Sequence, residues 1–160
     1  MDLMSRLQEF MASQLERLSE ELAEKYGVSE DDLSDDVATF LRETYGPAVK
    51  AASAICSRER PVLLFIGRND CAICQRCQPE LERFLQDHEE LDLVKLDYAQ
   101  SEGLLYHMIK NETEGVLPMI AMIFHGHIGK IFTGECAHPE VYERCYRDLR
   151  SQGCQNIYAL

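Results

Sequence analysis

The chain predicts an α/β fold: a small mixed sheet of four strands flanked by helices, with a helical extension in front of it. Three observations carry that expectation. Residues 1–58 show only helical apolar periods, whereas from Arg60 onward short apolar runs alternate with helical stretches. The later elements follow the order β-α-β-α-β-β-α, in which the opening βαβ unit needs a parallel pair with a right-handed crossover. The closing hairpin then adds an antiparallel pair. Lastly, Cys71-Ala72-Ile73-Cys74 falls directly between an apolar strand and a helix.

The first helix is written in Leu3, Leu7, Met11, Leu15, Leu18 and Leu22, which recur every three or four positions with charged residues between them. Gly27 closes it, because glycine accepts the left-handed conformation that follows a helix end. Ser29 and Ser34 offer N-caps for a second helix carrying Val37, Phe40 and Leu41. Gly46-Pro47 is expected to interrupt it, with Pro47 opening a third helix through Ala51, Ala52 and Ile55.

Pro61 to Gly67 reads as a buried strand and residues 72–87 as a helix with Leu81, Phe84 and Leu85 on one face. Leu91 to Leu96 is the next strand, and about 101–111 a short helix. Met119 to Phe124 and Ile128 to Phe132 make a hairpin about His125-Gly126, and Gly134 ends it. Residues 138–150 form a last amphipathic helix through Val141, Cys145 and Leu149, after which 151–160 lack a period and read as a loose tail. The expected division is therefore a helical extension over 1–58, a core domain over 59–150 and a tail over 151–160.

The formal net charge of -12 argues against nucleic acid or an anionic membrane surface as a partner, since both require lysine and arginine clusters. Met1-Asp2-Leu3-Met4-Ser5-Arg6 lacks the basic segment and apolar core of a secretory signal, and no apolar run is long enough to span a bilayer. A cytoplasmic protein is expected. In that compartment seven cysteines do not make a permanent disulfide framework, so the clustered ones point to redox or metal chemistry. Cys56, Cys136, Cys145 and Cys154 read as scattered core or surface residues.

Cys-x-x-Cys alone is shared with zinc and iron–sulfur sites. Its position here places Cys71 at a helix N-terminus, where unpaired N–H groups and the macrodipole favour a thiolate. Cys74 follows one turn later, within disulfide reach. Cys77 extends the run to Cys-x-x-Cys-x-x-Cys, as a further resolving thiol or a third metal ligand, but the continuation Gln78-Pro79-Glu80 lacks the ferredoxin pattern and an inert buried or exposed thiol is the commoner reading. Arg68 and Asp70 flank Cys71 with opposite charges whose sum the sequence leaves undecided. His125 and His127 share a strand face at a hairpin tip, where a metal site is conceivable but exposed turn histidines are far commoner.

Over roughly residues 60–150 these motifs resemble the thioredoxin superfamily. Cys71 and Cys74 follow the central strand, and Pro79 sits where that family kinks its active-site helix. Val94-Lys95-Leu96-Asp97 is similar to the family's next strand, Gly115-Val116-Leu117-Pro118 to its cis-proline segment, and Gly126 and Gly134 to its hairpin and strand-closing glycines. The chain departs from the pattern in having no Trp, Asp70 before the first cysteine, Ala72-Ile73 between the cysteines and Met119 after Pro118. Phe65 stands where the family keeps a buried acid, which leaves Lys95 without that partner, and no first strand is visible in residues 1–50.

The resemblance implies Cys71 as nucleophile, Cys74 as resolving thiol, and a cis Leu117-Pro118 bond whose loop holds the backbone of a disulfide-bearing target protein. It implies no cofactor beyond the redox-active disulfide and a separate reductase as electron donor; with no histidine between the cysteines, the expected poise lies nearer the reducing end of the range, about -270 mV. Two other readings stand beside this enzyme: an adaptor whose N-terminal helix recruits a partner or a second copy, and a metal or iron–sulfur carrier using Cys71, Cys74 and Cys77.

Overall fold

The computed structural model describes the backbone of residues 1–158 and the side chains of residues 1–152. Two long helices come first, α1 (Leu3–Tyr26) and α2 (Glu30–Cys56). Asp2 caps α1 by accepting the Ser5 N–H at 2.7 Å, and Gly27, at φ 64°, ends it. Leu3, Leu7 and Phe10 are buried in the core that α1 shares with α2, α4 and the sheet, so the leading half of the apolar stripe packs within the chain itself.

Residues 30–56 form one helix, not the two that Gly46-Pro47 suggested. Pro47 removes one backbone hydrogen bond. Against that loss, Val37 and Leu41 before it and Ala48, Ala52 and Ile55 after it are all buried along the one helix. Burial of the whole face overrides the local break. Phe40, expected on that face, is instead 57% exposed.

The core elements are β1 (Val62–Gly67), α3 (Ala72–Gln86), β2 (Asp92–Asp97), a 3-10 turn (Ser101–Leu104), α4 (Leu105–Lys110), β3 (Met119–Phe124), β4 (His127–Thr133) and α5 (Pro139–Tyr158). The helix α5 continues past residue 150, where the apolar period fades, because no proline follows to stop it. Residues 159 and 160 of the expected tail lie outside the described residues.

The sheet order is β2-β1-β3-β4, with β1 parallel to β2 and antiparallel to β3, and β3 antiparallel to β4. A central strand covered on both faces must be apolar throughout, and every residue of β1 is buried. Val62, Leu64 and Ile66 point into a core shared with α1, α2 and α4, while Leu63 and Phe65 point into a second core under α3 and α5. The N-terminus joins the sheet edge: Asp2 bridges His127, and the Leu3 N–H reaches the Gly126 carbonyl at 2.8 Å. On the far side, His88 after α3 bonds Glu90 at 3.2 Å and Glu143 of α5, tying the α3–β2 connection to the last helix.

Candidate active site

Cys71 is the N-cap of α3, extended at φ -93° and ψ 112°, and its Sγ accepts the Cys74 N–H at 3.2 Å. The Cys71 sulfur therefore takes the place that a serine or aspartate oxygen holds at other helix starts. A backbone donor aimed at that sulfur is available to a thiolate. Cys71 is half-buried, whereas Cys74 is buried. Neither is bonded to a cysteine outside the pair, and their two sulfurs come within pairing range of each other.

The Leu117–Pro118 peptide bond is cis, and the Leu117 carbonyl oxygen lies 3.9 Å from Cys71 Sγ. Three contacts fix this loop. Tyr106, fully buried, accepts the Val116 N–H at 2.9 Å, and its hydroxyl reaches Glu112 at 3.2 Å. The Pro118 carbonyl accepts the Gly134 N–H at 2.9 Å. Gly134 has φ 70°, and a side chain there would meet Val116 at 2.4 Å, so glycine is required on both counts. Nothing in the sequence marks Tyr106 as a site residue, since a tyrosine inside a short helix reads as core packing.

Arg68 and Asp70 bond each other through Nε and Oδ1, and the Arg68 guanidinium lies 6.0 Å over the Tyr98 ring. Two paired, solvent-exposed charges nearly cancel at Cys71. Behind the cysteines, Cys74 Sγ and the Phe65 ring both stand against Gly67 in one apolar cluster, and Phe65 stands in sheet register with Lys95. A cleft of about 340 Å³ runs from this point past Lys95, Asp97 and Glu102 to solvent. Phe65 thus gives Cys74 an apolar wall, and the ionisable groups lie only along the cleft.

Cys77 is bonded to Cys136, a residue whose sequence context marks only a scattered core or surface cysteine. The topology explains the meeting. Thr133 pairs with Met119 in the β3–β4 register, so the chain leaving β4 emerges beside Pro118 and the start of α3. With Cys77 held by Cys136, the three-cysteine ligand set of the metal reading does not exist in this arrangement. Among the described residues no three histidine, cysteine or acidic side chains gather as a metal site. His127 bonds the N-terminal amine at 3.2 Å and Gln152 at 3.1 Å, while His125 stacks on Phe124, so the two histidines do not converge. Burial, and then the nearby Asp2 charge, push the Cys56 thiol up, which keeps it protonated. The Cys154 side chain lies outside the described residues.

No protein-family model and no curated protein matches the chain. Solved structures do. Thioredoxin from Trypanosoma brucei brucei matches with a TM-score of 0.51 at 18% identity, over 64% of this chain and 86% of that one. The reduced desulfothioredoxin from Desulfovibrio vulgaris Hildenborough matches with a TM-score of 0.51 at 16% identity, over 61% and 88%. Mitochondrial thioredoxin 3 from Saccharomyces cerevisiae matches with a TM-score of 0.50 at 20% identity, over 63% and 89%. The chain therefore has the thioredoxin-like fold in a divergent form, with two helices preceding the sheet and Cys71 and Cys74 adjacent at the start of α3. Among the described residues no helix is long and apolar enough to cross a membrane.

Proposed function

We propose that the protein is a cytoplasmic thiol–disulfide oxidoreductase that reduces disulfides of other proteins through Cys71 and Cys74. The observation that carries this reading is the convergence on one sulfur: Cys71 Sγ has the Cys74 N–H at 3.2 Å and the Leu117 carbonyl of the cis-proline loop at 3.9 Å. An inert pair of core thiols needs neither the donor nor the loop.

The chemistry follows from that arrangement. The Cys71 thiolate attacks one sulfur of a target disulfide, the target bond breaks, and the released target sulfur takes a proton. The Cys74 thiolate then attacks Cys71 in the mixed disulfide, forming the Cys71–Cys74 bond and expelling the second target sulfur, so two electrons and two protons pass to the target. Val116, 51% exposed, and half-buried Leu117 offer apolar shoulders, and the loop backbone would pair with an extended target segment. With Phe65 beside Cys74, deprotonation of Cys74 relies on solvent in the cleft, so the resolving step is the slow one. A separate reductase returns the electrons.

The test is turnover on a protein disulfide, followed with dithiothreitol as reductant. Cys71→Ser should abolish turnover above the uncatalysed rate. Cys74→Ser should trap a mixed disulfide with the target that mass spectrometry detects. Unchanged turnover in Cys71→Ser would refute the proposal.

A further inference from the structure

We infer that Cys77 and Cys136 form a second redox couple that exchanges electrons with Cys71 and Cys74, so that the protein stores four electrons rather than two. This rests on the reading of Cys71–Cys74 as a redox pair.

Four features support it. Cys74 and Cys77 lie one turn apart on α3, both are buried, and both belong to the same core cluster, which places their side chains as neighbours on one helix face. Cys136, 59 residues away in sequence, closes a bond to Cys77 across a Cα–Cα distance of 5.2 Å. Its sulfur also lies 3.6 Å from the carbonyl oxygen of Ile73, the residue directly before Cys74. Finally, Cys136 is exposed while Cys77 is fully buried. A purely structural bond gains nothing from an exposed end, and exposed disulfides are the labile ones.

The segment around Cys136 is held independently of the bond. Before it, the Gly134 N–H is fixed to the Pro118 carbonyl at 2.9 Å; after it, the Ala137 N–H donates to the buried Tyr142 hydroxyl at 3.0 Å. Breaking Cys77–Cys136 therefore leaves Cys136 beside its partner and ready to re-form the bond. The exchange balances internally. The Cys74 thiolate attacks Cys77, the Cys77–Cys136 bond breaks, and Cys136 leaves toward solvent and takes a proton. The Cys71 thiolate then attacks Cys74 in the transient Cys74–Cys77 bond, and Cys77 leaves and is protonated. One dithiol is oxidised, one disulfide is reduced, and two electrons and two protons have moved.

The test uses the full chain, oxidised, then reduced with graded dithiothreitol, alkylated at intervals and mapped by peptide mass. The wild type should take up four electrons and Cys136→Ser two. After one equivalent of reductant, label should appear first on Cys71 and Cys74 and then on Cys77 and Cys136, and Cys74→Ala should slow that second labelling by about tenfold. Far-UV circular dichroism reports whether Cys74→Ala folds. Cys136→Ser, an exposed position, keeps the electron count readable if it does not. Two electrons in both wild type and Cys136→Ser overturn this inference alone, as does equal labelling of Cys77 in Cys74→Ala. No electrons in Cys136→Ser mean instead that Cys71 and Cys74 do not pair, and the parent reading has failed.

Discussion

Replacing Gly67 with alanine tests how tightly the sheet is packed against the cysteines. Gly67 ends β1, and a Cβ there would stand 2.7 Å from Cε1 of Phe65 and 3.2 Å from Cys74 Sγ. Real Cβ contacts do not reach the first distance, so the Phe65 ring must move. Its backbone belongs to the central strand, hydrogen-bonded to β2 and β3, so only the side-chain torsions can yield. An off-rotamer ring costs about 0.5–1.5 kcal/mol, and overpacking a well-filled core typically costs about 1–3 kcal/mol in all. We expect Gly67→Ala to lose about 2 kcal/mol in urea unfolding, which in a chain of this size lowers Tm by roughly 4–8 °C. The displaced contact also borders Cys74, so its alkylation rate relative to Cys71 should change. A variant within about 0.5 kcal/mol of wild type, with an unchanged ratio of alkylation rates, would show that the packing described around Cys74 is wrong.

Other perturbations reach the rest of the fold. Leu7→Ala removes a side chain only 2% exposed in the core shared by α1 and the sheet, and should cost about 2–5 kcal/mol; a change under 1 kcal/mol would mean that α1 is not part of the core. Pro47→Ala restores a backbone donor inside α2 at an exposed position and should stabilise the protein by roughly 1–2 kcal/mol in thermal or urea unfolding. Destabilisation would show that the helix depends on a bend there. Burial would lower the pKa of His88, but hydrogen bonds and charge from Glu143 and Glu90 outweigh it and raise the value above its ordinary 6.5. A raised folded pKa gives stability that is complete below the unfolded value and disappears as pH rises through the folded one. The stability gap between wild type and His88→Gln should therefore be larger at pH 6 than at pH 9, and an equal or growing gap would contradict the ion-paired arrangement.

Much of the architecture was legible because local and tertiary demands agree. The continuous apolar run of β1 and the glycines at 27, 126 and 134, all with positive φ, each state one requirement. Pro47 shows where they disagree. Proline chemistry predicts a break, but a buried face running from Val37 to Ile55 decides the outcome, and packing against other elements of the fold is not written in any local window. Phe40 fails for the related reason that a helical period marks a face without saying how wide the covering partner is.

At the site, Cys71 and Cys74 were visible because their motif opens the helix after β1, and Pro118 because it directly precedes β3. Cys136 was not. Its significance depends on the antiparallel return of β4 beside Pro118, a relation between segments rather than a property of either. The tyrosines at 106 and 142 carry no local signal either, since only the fold reveals that their buried hydroxyls hold the Val116 and Ala137 amides.

The central claim is that Cys71 and Cys74 work as a reversible couple. The most direct measurement is the redox equilibrium of that pair in graded dithiothreitol buffers, read by alkylation and peptide mass mapping. The account predicts a reversible two-electron transition on the peptide bearing Cys71 and Cys74, near the reducing end of the range, about -270 mV. If Cys71 and Cys74 stay free under oxidising buffers that close Cys77–Cys136, the pair is not a redox couple and the claim is wrong.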